Sequence, residues 1–197
     1  MNKFNNIPVS FKLSGQNINV ETVEHIDDGN TLGKCSIFRG EVLISNRLRL
    51  LDVSNDSKIN TFYHELIHLI LDQYGYDNLS ENEKFVEQLS SYIYNYFINK
   101  DDKYNSIING VEIKINYSST YNFKNDCDYY TVYDSDIYVK HDEGNGEFVK
   151  ADVVNINIYK AIVKLSLTFM NDENKNNTNL INIIARALYE FEKTVKY

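Results

Sequence analysis

The spacing of hydrophobic positions changes several times along the chain, and each change marks an element. Val9, Phe11 and Leu13 alternate with polar neighbours, as expected of a half-buried strand. Ile18 to Val23 and Val42 to Ser45 read as further short strands. From Ile59 to Tyr74 the period lengthens: Ile59, Phe62, Tyr63, Leu66, Ile67, Ile70 and Leu71 recur at three- and four-residue steps, which predicts a helix largely surrounded by protein. Asp56 or Ser57 can cap its start, and Gly75 stands where a left-handed residue ends a helix. A second helix follows from about Glu81 to Ile98, with Phe85, Val86, Leu89, Ile93, Tyr96 and Phe97 on its apolar face.

After the polar stretch Asn99-Lys100-Asp101-Asp102-Lys103 the pattern restarts, so a boundary is expected between residues 1–100 and 101–197. Val111 to Ile115 and Ile137 to Val139 alternate. Gly144-Asn145-Gly146 marks a tight turn, and a long run from Phe148 to Leu167 reads as alternating strand. Asn171 to Asn179 is a polar loop, and Thr178 to Lys196 a final amphipathic helix. The fold class predicted is α+β: a short sheet with two helices, then a β-rich half closed by a C-terminal helix. Both halves run strands, a Thr-Phe step (Thr61-Phe62, Thr168-Phe169) and a helix. That order suggests an internal duplication in which Asn171 and Asp172 stand near the places of His64 and Glu65.

The chemistry concentrates in His64-Glu65-Leu66-Ile67-His68, an HExxH pattern inside the first predicted helix. Residues four apart stack on one helical face, so His64 and His68 can aim two imidazoles at one metal ion, with Glu65 beside them as a general base. A catalytic zinc site takes three protein ligands and leaves one position open, so a third ligand is expected downstream. Glu83 and Glu87 are the candidates. Ser80-Glu81-Asn82-Glu83 has the form of a capping box, which gives Glu83 a structural task, and Glu87 one turn further on is therefore favoured as the ligand.

His64-Glu65-Leu66-Ile67-His68, followed by a helix carrying Glu87 in Phe85-Val86-Glu87-Gln88-Leu89, resembles the zincin metallopeptidases with a glutamate third ligand. More narrowly, it is similar to the small zincin-like proteins of phages and mobile elements, including the ImmA/IrrE-like group. The resemblance covers residues 7–98. It implies a zinc-dependent peptidase acting on a protein or peptide substrate, with Zn2+ held by His64, His68 and Glu87 and with Glu65 as general base. It also implies that Gly40 to Ser45 forms the edge strand along which an extended substrate lies. The alternative is a catalytically silent zincin-fold binding protein.

Composition narrows the setting. The 197 residues carry 43% hydrophobic and 13% aromatic side chains, enough to fill one ample core or two small ones. A formal net charge of -8 argues against nucleic acid as partner, since a phosphate backbone demands a basic surface. No apolar run approaches the length of a membrane span and no secretory signal opens the chain, so no membrane partner and a cytoplasmic setting are expected. Cys35 and Cys127 belong to no CxxC and read as buried free thiols. Asp126, Asp128, Asp134 and Asp136 meet no calcium-loop spacing and read as strand and turn carboxylates. His25 and His141 lie in polar segments and read as surface residues.

Overall fold

The computed structural model describes residues 4, 6–27, 29–118, 130–133, 135–142 and 147–197. The expected turn at Gly144-Asn145-Gly146, together with Cys127, Asp126, Asp128 and Asp134, lies outside the described residues. The fold is α+β, and the chain divides into two compact units. One comprises residues 1–94 and 190–197, the other residues 95–189. No helix among the described residues is long and apolar enough to cross a membrane.

In the first unit, strands β1 (Ser10–Leu13), β2 (Gln16–Val23), β3 (Gly33–Ser36) and β4 (Glu41–Ser45) form a sheet in the order β1-β2-β4-β3. β1 and β2 are an antiparallel hairpin. Their two-residue turn, Ser14-Gly15, takes positive φ at both residues, the conformation whose twist suits a tight hairpin. β2 pairs parallel to β4, and β3 pairs antiparallel to it. The sheet therefore ends at β3. Gly40 to Ser45, expected at the edge, lies between two partners, because the parallel pairing to β2 occupies the side the sequence pattern left open. A small hairpin, β5 (Arg47–Leu48) and β6 (Leu51–Asp52), leads into helix α1 (Asn55–Gln73).

Ser54 is the N-cap of α1, its hydroxyl accepting from the Ser57 amide, two residues before Asp56 and three before Ser57, the expected caps. The end is a left-handed Gly75, with Gly75 N–H donating to Asp72 and Tyr76 N–H to the Leu71 carbonyl. Helices α2 (Asp77–Ser80) and α3 (Glu83–Asn99) follow. The expected capping box at Ser80 is not formed. Asn82 caps α3 instead, its side-chain oxygen accepting from the Phe85 amide at 3.2 Å, and Ser80 belongs to α2. An aromatic cluster joins sheet and helices, with the Phe62 ring 5.9 Å from Phe11 and 5.8 Å from Phe191.

The second unit has strands β7 (Ser106–Ile108), β8 (Val111–Ser118), β9 (Tyr130–Tyr133) and β10 (Asp136–Lys140), in the order β7-β8-β10-β9. The β7–β8 and β9–β10 pairs are antiparallel and β8–β10 is parallel. The run from Phe148 to Leu167, expected as strand, forms helix α4 (Ala151–Phe169) instead. Its β-branched residues mimic a period of two. The buried set Val154, Asn157, Ile158, Ala161, Ile162 and Leu165 keeps a helical period, and a run of this length exceeds an ordinary strand. A 3-10 turn (Glu173–Asn176) occupies the expected loop, and helix α5 (Thr178–Thr194) matches the expected final helix. His25 is exposed, as expected. His141 is half-buried beside the rings of Tyr117 and Phe148.

Candidate metal centre

Helix α1 carries the HExxH residues and packs against β3 and β4. On the face turned to the core, Phe62, Tyr63, Leu66, Ile67, Leu69 and Ile70 are buried, which fixes the helix in rotation and leaves His64 and His68 half-buried at the rim of a cavity. The cavity measures about 680 Å³ and is lined from β3 by Gly33, Lys34 and Cys35, from α1 by Thr61, His64, Glu65, His68 and Asp72, and from α3 by Glu83 and Glu87.

The Nε2 atoms of His64 and His68 lie 3.0 Å apart. The Glu83 carboxylate closes the third side, with Oε2 3.3 Å from His64 Nε2 and Oε1 3.7 Å from His68 Nε2. One ligand atom from each of these three residues falls within 4.8 Å of the others, so the group can hold a metal ion. The separations suit that role: bonds of about 2.0–2.1 Å in a tetrahedral site set donor atoms roughly 3.3 Å apart. His68 Nδ1 stands 3.0 Å from Ser80 Oγ. With Nδ1–H donating to that hydroxyl, the Nε2 lone pair faces the cavity. Burial, reinforced by the neighbouring His64, pushes the His68 pKa down and favours the neutral, ligating imidazole.

Glu83, given a capping task by the sequence pattern, is thus the carboxylate beside the two imidazoles. Glu87, the favoured ligand, lines the same cavity one turn further along α3 but is not part of the three-residue group. The difference arises at one residue. Asn82 takes over the cap, so Glu83 opens the helix with its side chain free to reach α1.

Glu65 lies deeper, at 8% exposure, between α1 and the edge strand. Burial pushes its pKa up to about 7, with the negative charges of Glu83 and Asp72 adding to the rise and a hydrogen bond from the Cys35 thiol opposing it. Cys35, free of any disulfide and half-buried, is in turn pushed well above the usual thiol range by burial and by the Glu65 charge. Gly33 makes this close approach possible. A Cβ at that position would sit 2.5 Å from both Glu65 Oε1 and Thr61 Cγ2, so only glycine lets β3 pass over the carboxylate.

Four contributors, Gly33, Cys35, Asp72 and Ser80, escape a motif search. Asp72 alone had a sequence signal: it continues the four-residue step of His64 and His68 along one helical face. Gly33, Cys35 and Ser80 reach the site only through the strand pairing and the helix turn. No family model, no curated protein and no solved structure matches this chain.

Proposed function

We propose that the first unit is a zinc-dependent peptidase, with His64, His68 and Glu83 as metal ligands and Glu65 as general base. The observation that carries this reading is the pair of imidazole nitrogens 3.0 Å apart, faced by the Glu83 carboxylate and backed by a buried carboxyl at Glu65. Two nitrogen lone pairs at that distance repel unless a cation or proton lies between them, and a nearby carboxylate favours the cation. Zinc suits the nitrogen and oxygen donors; when bound it would polarise a substrate carbonyl and acidify water.

The chain's own residues supply the rest. With a pKa of about 7, Glu65 is partly ionised at neutral pH, which suits a group that must first accept and then release a proton. As the water oxygen bonds to the carbonyl carbon, its proton passes to Glu65. As the carbon–nitrogen bond breaks, that proton passes to the leaving amine. The Cys35 thiol holds the Glu65 carboxylate against the strand, and Ser80 holds the His68 ring. The edge of the sheet at β3, which lines the cavity, supports an extended peptide as substrate, since strand addition satisfies backbone groups in register. Retention of Glu65 speaks for a peptidase over a binding protein, because a binder needs no base and burying this carboxyl is costly.

The test is metal content. The purified protein is expected to carry close to one zinc ion per chain, and His64→Ala to lose it, as read by elemental analysis of both proteins. Full occupancy in His64→Ala would overturn the assignment.

A further inference from the structure

The two units share more than a fold class. Their sheets have the same strand order and the same pattern of parallel and antiparallel pairs. Both open on a hairpin with positive φ at its two turn residues, Ser14-Gly15 and Asn109-Gly110. Helices α1 and α4 each have 19 residues, and α3 and α5 each have 17. The ends match in detail. Tyr76 N–H donates to Leu71 and Asp172 N–H to Leu167, around the left-handed Gly75 and Asn171. Asn82 caps α3 through the Phe85 amide, as Asn177 caps α5 through that of Leu180.

These landmarks fix the register between the helices, and the burial pattern follows it. Phe62, Tyr63, Leu66, Ile67, Leu69 and Leu71 correspond to Ile158, Tyr159, Ile162, Val163, Leu165 and Leu167, all buried. The register also corrects the Thr-Phe match: His64 and His68 correspond to Lys160 and Lys164, not to Asn171 and its neighbours, because Thr168-Phe169 ends α4 whereas Thr61-Phe62 lies inside α1. All four of these side chains are half-buried. The carboxylates around the first site are absent from the second: Glu65 becomes Ala161, Asp72 becomes Thr168, Glu83 becomes Thr178 and Glu87 becomes Asn182. The supporting strand has changed in step, with Tyr130 at the place of Gly33 opposite a helix that no longer carries the large carboxyl. Lys160 and Lys164 have no ion-pair partner among the described residues. The guanidinium of Arg186, on α5, adds its positive charge to that of Lys160, which lies partly out of water.

We propose that the second unit is a copy of the first in which the metal-binding positions have been recast as an oxyanion site, with Lys160 and Lys164 holding a carboxylate or phosphate group. Two lysines one helical turn apart, with no acid paired to them among the described residues and with Arg186 adding a third positive charge, favour an anion bound between them. The proposal does not depend on the catalytic reading of the first unit.

The experiment is a titration of the full-length protein, stripped of metal by a chelator, with inorganic phosphate in one arm and acetate in the other. Binding is followed by amide chemical shifts. Saturable binding in at least one arm is expected, and Lys160→Gln and Lys164→Gln, made singly and checked for helix content by circular dichroism, should each weaken it by about tenfold or more. His64→Ala should leave it unchanged. No saturable binding in either arm would overturn the proposal, as would equal affinity in the folded lysine variants or a loss confined to His64→Ala. The arm that binds identifies the anion.

Discussion

Helices α1 and α4 bury most of the same positions and present opposite chemistry at two half-buried ones between them. On α1 those positions hold His64 and His68, with Glu65 forced under the edge strand; on α4 they hold Lys160 and Lys164 over Ala161. The difference separates what holds the fold from what makes the site. The buried residues, of which Tyr63 and Tyr159 are the largest at matching positions, fix the rotation of the helix in both units. The site residues can be exchanged without moving that register. They are not neutral to stability, however. The first unit buries a carboxyl that prefers its proton, and the second has an alanine there.

The largest expected effect tests whether Glu65 gives the first unit its activity. Glu65→Gln keeps the shape and removes the base, so peptidase turnover should fall by about 10² to 10⁴ while zinc content stays at the wild-type level. Turnover of a model peptide and elemental analysis on the same preparation separate the two roles. Loss of zinc together with activity would make Glu65 a ligand and remove it from the proton-transfer role.

The same residue should make the first unit sensitive to pH in a way the second is not. The folded-state pKa of Glu65, about 7, lies above its ordinary value of 4.5, so between these limits the folded protein holds a proton that the unfolded chain releases. Its contribution to stability is therefore complete below about pH 4.5 and is lost as the pH rises through 7, by about 3 kcal/mol in the metal-free protein. Urea unfolding at about pH 5 and pH 8, in wild type and in Glu65→Gln, measures it. The variant should lose that part of the pH dependence; identical dependence in both proteins would show that burial of Glu65 is not its cause.

The choice between the two glutamates is the next smaller effect. Glu83→Ala should weaken zinc binding by about an order of magnitude or more, and Glu87→Ala by less, because only Glu83 stands within reach of both imidazoles. Competition against a zinc-binding dye reads both constants. A larger loss from Glu87→Ala would mean that metal binding draws Glu87 inward, and the ligand set would revert to the one the helix spacing suggested.

That glutamate pair also shows where the sequence is readable. His64, Glu65 and His68 declare themselves because one helix carries all three, and helical spacing is local. The helices α1, α3 and α5 and the strands β1, β2, β4, β8 and β10 are legible for the same reason, whereas β3, β7 and β9 carry no pattern of their own. Glu83 escapes the sequence because Ser80 has the form of a capping box, whereas the four-residue helix α2 takes Ser80 and leaves Asn82 as the cap. The edge of the sheet is not legible because strand order is a tertiary fact: nothing in Gly40 to Ser45 says that β2 and β3 take both its sides. The sequence over α4 reads as strand because apolar residues on most faces blur the helical period of its buried set, and β-branched residues then tip the reading. The Thr-Phe echo suggests a duplication, yet the correspondence that supports it lies in turns, caps and burial, where side-chain identity has mostly drifted.

The smallest expected effect tests that correspondence at a pair of helix caps. Asn82 and Asn177 cap equivalent helices, each through its side-chain oxygen and the amide three residues on, both at 3.2 Å. If the two units are copies under the same local physics, Asn82→Ala and Asn177→Ala should each cost about 1 kcal/mol, and the corresponding glycine variants only a few tenths, since glycine leaves the helix-end amides open to water. Chemical denaturation of the four metal-free variants provides the comparison, with metal removed so that a shift of Glu83 beside Asn82 cannot add a binding contribution. Matched alanine costs would extend the equivalence of the units from geometry to energetics. A cost confined to Asn82 would mean that α3 begins where it does to hold the site, and that the cap on α5 is a geometric remnant.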